Sequence, residues 1–114
     1  MAEFIVKDSG ERKQFASGMV RDTATDKINF SLVFDGPLLM RWAKHLTLGA
    51  VKYAKRNWMQ ANGEEELERF KESAARHFYQ WYTGVVDEDH AAAVVFNING
   101  AEYVKEKLQN KENK

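Results

Sequence analysis

Three polar residues lie at positions where a helical repeat of apolar residues places the core. His77 lies one heptad after Phe70, Asn97 follows the apolar run 91–96, and Asn57 ends an apolar helix face. Buried polar groups need hydrogen-bond partners. His77 and Asn97 therefore either satisfy each other or a backbone carbonyl, or they belong to a polar site enclosed by helices. The sequence leaves both interpretations open.

A row of cationic residues is a second pattern that suits ligand binding. His45, Gly49, Lys52 and Arg56 are spaced by four, three and four residues, so they share one face of a helix. Lysine and arginine on one face suit phosphate oxygens, and arginine binds them in a bidentate manner. Gly49 leaves room for a ligand or a second backbone. The alternative is an ordinary solvated basic face.

Carboxylates are concentrated at the starts of two predicted helices. The run 64–68 matches an E-E-x-x-E string, Glu72 follows one turn later, and Asp89 lies in the first turn of the next predicted helix. A divalent cation such as Mg²⁺ binds a few carboxylates together with substrate phosphates. Glu68 or Glu72 with Asp89 is therefore a candidate metal site. Acids at helix starts also stabilise the helix dipole, and Glu72 with Arg76 is an ordinary i,i+4 pair.

The elements that must position these residues are mainly helical. Hydrophobic periodicity predicts a small bundle of three helices, preceded by an irregular or extended arm and followed by a frayed polar tail. The predicted segments are the arm 1–36, helices over about 36–60, 64–83 and 88–108, and the tail 109–114.

Local signals predict where these elements start and stop. Asp35 is expected to cap the first helix and Asp87 the third, while Gly84 is expected to end the second. The turn predicted at 23–26 precedes an alternating run over 28–32, which is typical of a short strand or an extended arm.

Composition limits the class of protein. The chain has 114 residues, which suits one domain, and 17 basic against 17 acidic residues give a net charge of +0. That balance argues against general nucleic-acid binding. The sequence contains no Cys, which excludes disulfides and thiolate metal sites, and no long apolar run predicts a signal peptide or a membrane span. We expect a cytoplasmic protein, in the host cytoplasm if phage-encoded.

The third predicted helix is apolar on more than one side, with one stripe through Ala91, Val94, Ile98 and Ala101. A helix of this kind needs cover on more than one side. Three helices in one subunit provide little of it, so we expect a homo-oligomer, a dimer or higher.

An ordered series of short motifs resembles a phage-associated family. The motifs are Gly18-Met19-Val20-Arg21-Asp22, Asp26-Lys27, Pro37-Leu38, Arg41-Trp42-Ala43, Gly49-Ala50-Val51-Lys52-Tyr53, Arg56-Asn57-Trp58, Ser73-Ala74-Ala75-Arg76-His77, Gly84, Asp87-Glu88-Asp89-His90-Ala91-Ala92 and Asn97. Over residues 15–105 the chain is similar to the phage dATP/dGTP diphosphohydrolase N-terminal domain family, related to MazG-like all-α nucleotide pyrophosphohydrolases.

The resemblance implies a helical, oligomeric enzyme that uses Mg²⁺ or Mn²⁺ to hydrolyse a purine (deoxy)nucleoside triphosphate to monophosphate and pyrophosphate. It implies metal ligands at Glu68, Glu72 and Asp89, and catalytic residues at Glu72, Asp89 and His77. The residues expected to bind the nucleotide are Arg21, Lys27, His45, Lys52, Tyr53, Arg56, Asn57, Trp58, Arg76, His90 and Asn97. The third helix lacks the E-x-x-D that MazG-like enzymes usually carry.

Two other functions are weighed against hydrolysis. The same cations and aromatic residues suit a phage protein that sequesters a nucleotide-derived immune signal without cleaving it, as an anti-defence sponge. A purely structural helical oligomer would use His77 and Asn97 only as internal hydrogen-bond partners.

Overall fold

A computed structural model describes residues 4–6, 8, 10–23 and 27–112, and the chain divides into two compact units, 1–32 and 33–114. The mainly α class predicted from sequence is confirmed. In chain order the elements are β1 (Arg12–Gln14), β2 (Val20–Asp22), a 3-10 helix (Phe30–Phe34), α1 (Leu38–Tyr53), a second 3-10 helix (Asn57–Gln60), α2 (Glu64–Tyr82) and α3 (His90–Glu112). None of the helices described here is both long and apolar enough to cross a membrane.

The N-terminal unit contains a β-hairpin that the sequence patterns did not predict. Strands β1 and β2 are antiparallel, with Arg12 opposite Asp22. Arg12 also forms ion pairs with Asp8 at 2.7 Å and with Asp22 at 2.6 Å. Gly18 adopts φ 93° in the turn and donates its N–H to the Phe15 carbonyl at 2.8 Å. Glycine suits this position because it reaches positive φ without steric cost.

Two further expectations concern the chain after the hairpin. The short strand or extended arm predicted over 28–32 is wrong from residue 30 onward, because the segment Phe30–Phe34 forms a 3-10 helix instead. The turn predicted at 23–26 lies largely outside the described residues, which omit 24–26.

Helix α1 differs from its predicted bounds at both ends. Its N-cap is Pro37, whose carbonyl accepts the Arg41 N–H at 3.2 Å, so the predicted Asp35 cap is wrong. The helix ends at Tyr53 rather than near residue 60, because Ala54 adopts φ 117° and Arg56 φ 62°. Two residues at positive φ cannot continue an α-helix, and the chain turns there into the second 3-10 helix.

Helix α2 closely matches its predicted range. At its start, Glu66 Oε1 accepts the N–H groups of Asn62 and Gly63 at 3.0 and 3.1 Å. At its end, Gly84 at φ 84° allows the Val85 N–H to reach the Gln80 carbonyl at 2.9 Å. This six-to-one bond is the signature of a Schellman motif. Gly84 therefore ends the helix as predicted.

Helix α3 is the central helix, because both α1 and α2 pack against it. Asp89 Oδ1 accepts the Ala92 N–H at 3.1 Å and so caps the helix, which makes the predicted Asp87 cap wrong. The helix continues four residues past the predicted end at Leu108.

The buried core of the helical unit is small and centred on α2 and α3. It consists of Ala61, Leu67, Ala101 and Val104, with Phe70 and Leu108 packed against it. Gly100 permits the closest contact, since a Cβ there would lie 2.5 Å from Phe70 Cε1. A larger residue at position 100 would force α2 and α3 apart.

Candidate functional site

A buried pair of imidazoles joins the end of α2 to the start of α3. His77 and His90 are only 8% and 2% exposed, and their Nδ1 atoms lie 2.8 Å apart. His90 Nε2 lies 2.7 Å from Asp87 Oδ1. The short connection between the helices, with its Schellman turn, brings His90 back onto His77. The chain Asp87–His90–His77 therefore runs from an exposed carboxylate into the interior.

The protonation of this chain follows from burial and hydrogen bonding. Burial lowers the pKa of His77 from its usual value, and the charge of Arg76 lowers it further. The hydrogen bond from His90 lowers the pKa of Asp87. A neutral imidazole has one N–H and one acceptor nitrogen. When His90 Nε2 donates to the Asp87 carboxylate, His90 Nδ1 therefore accepts the Nδ1–H of His77.

A bidentate ion pair lies beside this chain. Arg41 on α1 donates from Nε and Nη2 to the two oxygens of Asp89, at 2.8 and 2.5 Å. The hydrogen bond from Arg41 holds the pKa of Asp89 at about 2. Asp89 was predicted as a catalytic and metal-binding residue, but here its carboxylate binds Arg41 and caps α3. Arg41, which the charge pattern did not single out, links α1 to the start of α3.

A pocket of about 510 Å³ lies between the second half of α1, the connection 54–59 and Phe96 of α3. Six of its lining residues belong to the predicted cation row or the nucleotide-binding set: His45, Gly49, Tyr53, Arg56, Asn57 and Trp58. The Phe96 ring packs against Trp58 and His45, with centroids 6.3 and 5.2 Å apart. The structure therefore gathers five of the eleven residues predicted to bind the nucleotide around one cavity.

Sequence periodicity assigned Phe96 to the core and so did not identify it as a pocket residue. No local sequence signal distinguishes Phe96 from the other residues of the apolar run 91–96. Lys52 does not line the pocket. Its Nζ lies 4.9 Å from the centre of the Tyr53 ring.

His45 lines the cavity from α1. Its charge is the smallest of the influences on the pKa values of His77 and Asp89, and it lowers both. The electrostatic effect of this side chain on the start of α3 is therefore minor.

The remaining predicted residues lie elsewhere. Asn97 is buried and donates from Nδ2 to the Ala93 carbonyl at 2.8 Å, so a backbone carbonyl, and not His77, is its partner. Glu68 is exposed on α2. Glu72 and Arg76 line a separate depression of about 380 Å³ with Arg69.

Arg21 and Lys27 lie in the N-terminal unit. They line a depression of about 580 Å³ there, together with Asp8, Arg12 and Asp22. The depression has charges of both signs, so its character differs from that of the aromatic pocket in the helical unit.

Within the part of the chain that the structure describes, one group of three side chains has ligand atoms close enough to hold a metal ion. It consists of Asp87, Glu88 and His90, with ligand atoms all within 4.8 Å of one another. Glu68, Glu72 and Asp89 do not form such a group, so their role as metal ligands stays a prediction.

Comparison with known proteins gives one match. A family model described as "dATP/dGTP diphosphohydrolase, N-terminal" matches residues 17–112, which is most of the chain. No curated protein and no solved structure matches it.

Proposed function

The chain belongs to the dATP/dGTP diphosphohydrolase N-terminal family, and from this premise we propose that it hydrolyses a purine (deoxy)nucleoside triphosphate to the monophosphate and pyrophosphate. The observation that carries the proposal is the cavity between α1 and α3, which combines aromatic walls with cationic residues. A purine nucleotide has the matching parts, namely a flat aromatic base and a charged phosphate chain.

The base fits the aromatic side of the pocket. Trp58 and Phe96 both line the cavity and meet edge to face at 77°, so they form an aromatic wall against which we propose that the base packs. Stacking a base on an aromatic side chain contributes about 1–3 kcal/mol. Asn57, at the same wall, offers an amide that both donates and accepts hydrogen bonds, as a purine edge requires.

The phosphates fit the cationic side. Arg56 and His45 line the cavity, whereas Lys52 does not. Arg56 presents a planar guanidinium that binds two phosphate oxygens at once. We infer that Arg56 and His45 orient the phosphate chain toward the start of α3 and offset the charge that develops as the bond between the α-phosphorus and its bridging oxygen breaks.

We propose that the reaction uses a divalent metal, and the donor set Asp87, Glu88 and His90 fits one. Two carboxylates and an imidazole suit Mn²⁺, which accepts nitrogen and oxygen ligands, better than Mg²⁺, which prefers oxygen. A bound ion would supply positive charge to the phosphates and make a water molecule more nucleophilic.

The buried histidines have a defined part in this arrangement. For His90 Nε2 to act as a ligand, the ring proton must lie on Nδ1, where it is donated to His77 Nδ1 at 2.8 Å. Ligating histidines usually donate their second N–H to such a partner. We propose that His77 fixes the ring orientation and tautomer of His90, while Asp87 and Glu88 provide the exposed negative charge.

The activity is tested by incubating the purified chain with a panel of purine and pyrimidine nucleotides and Mn²⁺ or Mg²⁺. Ion-exchange chromatography then measures monophosphate and pyrophosphate. Arg56→Gln is expected to raise KM at least tenfold through loss of phosphate binding, while Lys44→Gln, an exposed cation outside the pocket, is expected to leave it unchanged. Release of no pyrophosphate from any purine nucleotide would exclude the proposal. Tight binding in EDTA with intact ligand recovered would then favour the sequestering function.

The metal set is tested by two matched pairs of neutralising substitutions. Asp87→Asn with Glu88→Gln is expected to abolish both activity and the Mn²⁺-induced rise in melting temperature. Glu68→Gln with Glu72→Gln is expected to change neither. The opposite pattern would return the metal site to the acidic residues of α2 that the sequence suggested.

A further inference from the structure

One segment of the helical unit, at the end of α2, has no charged side chains. Residues 78–86 contain no charged side chain, in a sequence that is 30% charged. Within this segment, here named the 78–86 patch, Phe78, Tyr79, Trp81 and Tyr82 are 52%, 68%, 53% and 77% exposed. Val85 and Val86 extend it at 40% and 90% exposed.

The area left uncovered is that of an interface. Aromatic side chains present about 150–250 Å² each, so these exposed fractions leave roughly 500 Å² on the four rings alone. Monomeric proteins rarely expose contiguous apolar patches larger than a few hundred Å². A stable protein interface covers about 800 Å² on each partner, a size that the rings and the two valines approach.

The patch is also ordered before it meets any partner. Phe78 packs on Trp81 and on Tyr82, with ring centroids 5.7 and 6.2 Å apart. The Schellman bond from Val85 to Gln80 fixes the chain that carries the valines. Covering such a surface costs little conformational entropy, since its side chains already hold one another.

The absence of charge indicates which partner fits. In a two-fold interface between identical chains the same surface meets itself, so a charge near the axis faces a like charge. A surface without charge avoids this repulsion, whereas an interface with a different protein has no need to. We propose that the 78–86 patch is the surface through which this chain binds a second copy of itself.

The interface would border the candidate site. His77 directly precedes the patch and Asp87 directly follows it in sequence, so a second copy seated on the patch also covers the edge of the imidazole chain. The association stands independently of the proposed hydrolysis, because it depends on the exposed area and the missing charge alone.

The test uses the full chain and sedimentation velocity across a range of protein concentrations. The unmodified protein is expected to sediment with at least twice the mass of one chain. Val86→Glu, which places a carboxylate opposite its own copy, is expected to reduce that mass twofold. Val51→Glu, at a position 85% exposed on α1, is the matched control and is expected to leave it unchanged.

Trp81→Glu provides a second disruptive variant, and circular dichroism reports whether each variant keeps its helices. Val86 lies outside α2 and is almost fully exposed, so its substitution tests association and is expected to leave the stability of the folded chain unchanged. A monomeric unmodified protein would overturn the proposal. So would a folded Val86→Glu variant with the original mass, or a Val51→Glu control that dissociates.

Discussion

At the scale of single residues, each of the two buried histidines provides the hydrogen-bond partner that the other needs. A buried imidazole without a partner carries a desolvation cost of about 1–3 kcal/mol. His77 and His90 remove that cost jointly, through the 2.8 Å contact between their Nδ1 atoms. Asp87 occupies the second nitrogen of His90, at 2.7 Å. Neutral imidazoles are compatible with this geometry, because one Nδ1 donates its proton while the other Nδ1 accepts it.

The first prediction concerns the coupling between these histidines. His90→Leu is expected to lower the free energy of unfolding by about 1–3 kcal/mol, because His77 Nδ1 loses its partner in a buried position. His77→Leu should cost a similar amount. The double variant should cost less than the two singles together, by about 0.5–3 kcal/mol, as contacting residues do. Urea denaturation measures all three, and strict additivity would mean that the contact contributes nothing.

At the scale of elements, the contact between α2 and α3 depends on a missing side chain. Gly100 lies on α3 where a Cβ would meet three atoms of the Phe70 ring, the nearest at 2.5 Å. The ring is part of the packing around the small core, so it has little room to move away.

Gly100→Ala is therefore expected to destabilise the chain by about 1–3 kcal/mol, the usual cost of overpacking. Gly49→Ala is the matched control on α1, where an added Cβ would meet nothing within 4 Å. That change should stabilise the helix by about 0.5–1 kcal/mol, since alanine has the higher helix propensity. Thermal denaturation separates the two, and a shift of the same sign in both variants would contradict the packing argument.

The end of α1 carries backbone strain. Ala54 adopts φ 117° and ψ 152°, a conformation used almost only by glycine. The strain turns the chain so that Arg56, Asn57 and Trp58 face the pocket. Ala54→Gly is expected to raise the free energy of unfolding, because relief of about 1–3 kcal/mol exceeds the entropic cost of a glycine of about 0.4–1 kcal/mol.

Lys55→Gly, one residue later in the same turn, is the comparison for this prediction. Its backbone has no positive φ to relieve, so glycine there should only lower stability. Chemical denaturation of both variants decides the matter. Equal losses would show that residue 54 is not strained.

These elements show what the sequence could predict and what it could not. The bounds of α2 were predictable because Asn62-Gly63 and Gly84 are local signals at its two ends. The early end of α1 was not predictable, because alanine and arginine rarely adopt positive φ, and yet Ala54 and Arg56 both do. The cation row correctly placed His45 and Gly49 on one wall of the pocket, but Arg56 reaches the pocket from beyond the end of α1 and Lys52 does not line it. The His77–His90 contact depends on how α3 folds back on α2. The residue pattern of one helix does not predict which residues of another helix it will contact.

At the scale of the whole molecule, the placement of apolar surface differs from the sequence-based argument for an oligomer. The oligomer prediction rested on the apolar stripe of α3, yet α1 and α2 both pack against α3, and Ile98 is the one residue of that stripe that is exposed, at 51%. Most of the exposed apolar surface of the helical unit lies on the flanking helices, where α1 has no buried residue and α2 ends in the 78–86 patch. Oligomerisation stays a prediction, but its expected surface has moved from the central helix to the end of α2.

This placement has a consequence for activity. If a second copy covers the patch, it shields the neighbouring Asp87 and His77 from water, and electrostatic interactions with a phosphate chain strengthen as water is excluded. Specific activity is therefore expected to fall on dilution, in step with dissociation measured by sedimentation, and to be low at every concentration in Val86→Glu. Val51→Glu should follow the unmodified curve. Constant specific activity across the dissociation range would mean that each chain holds a complete site, and that the patch serves assembly alone.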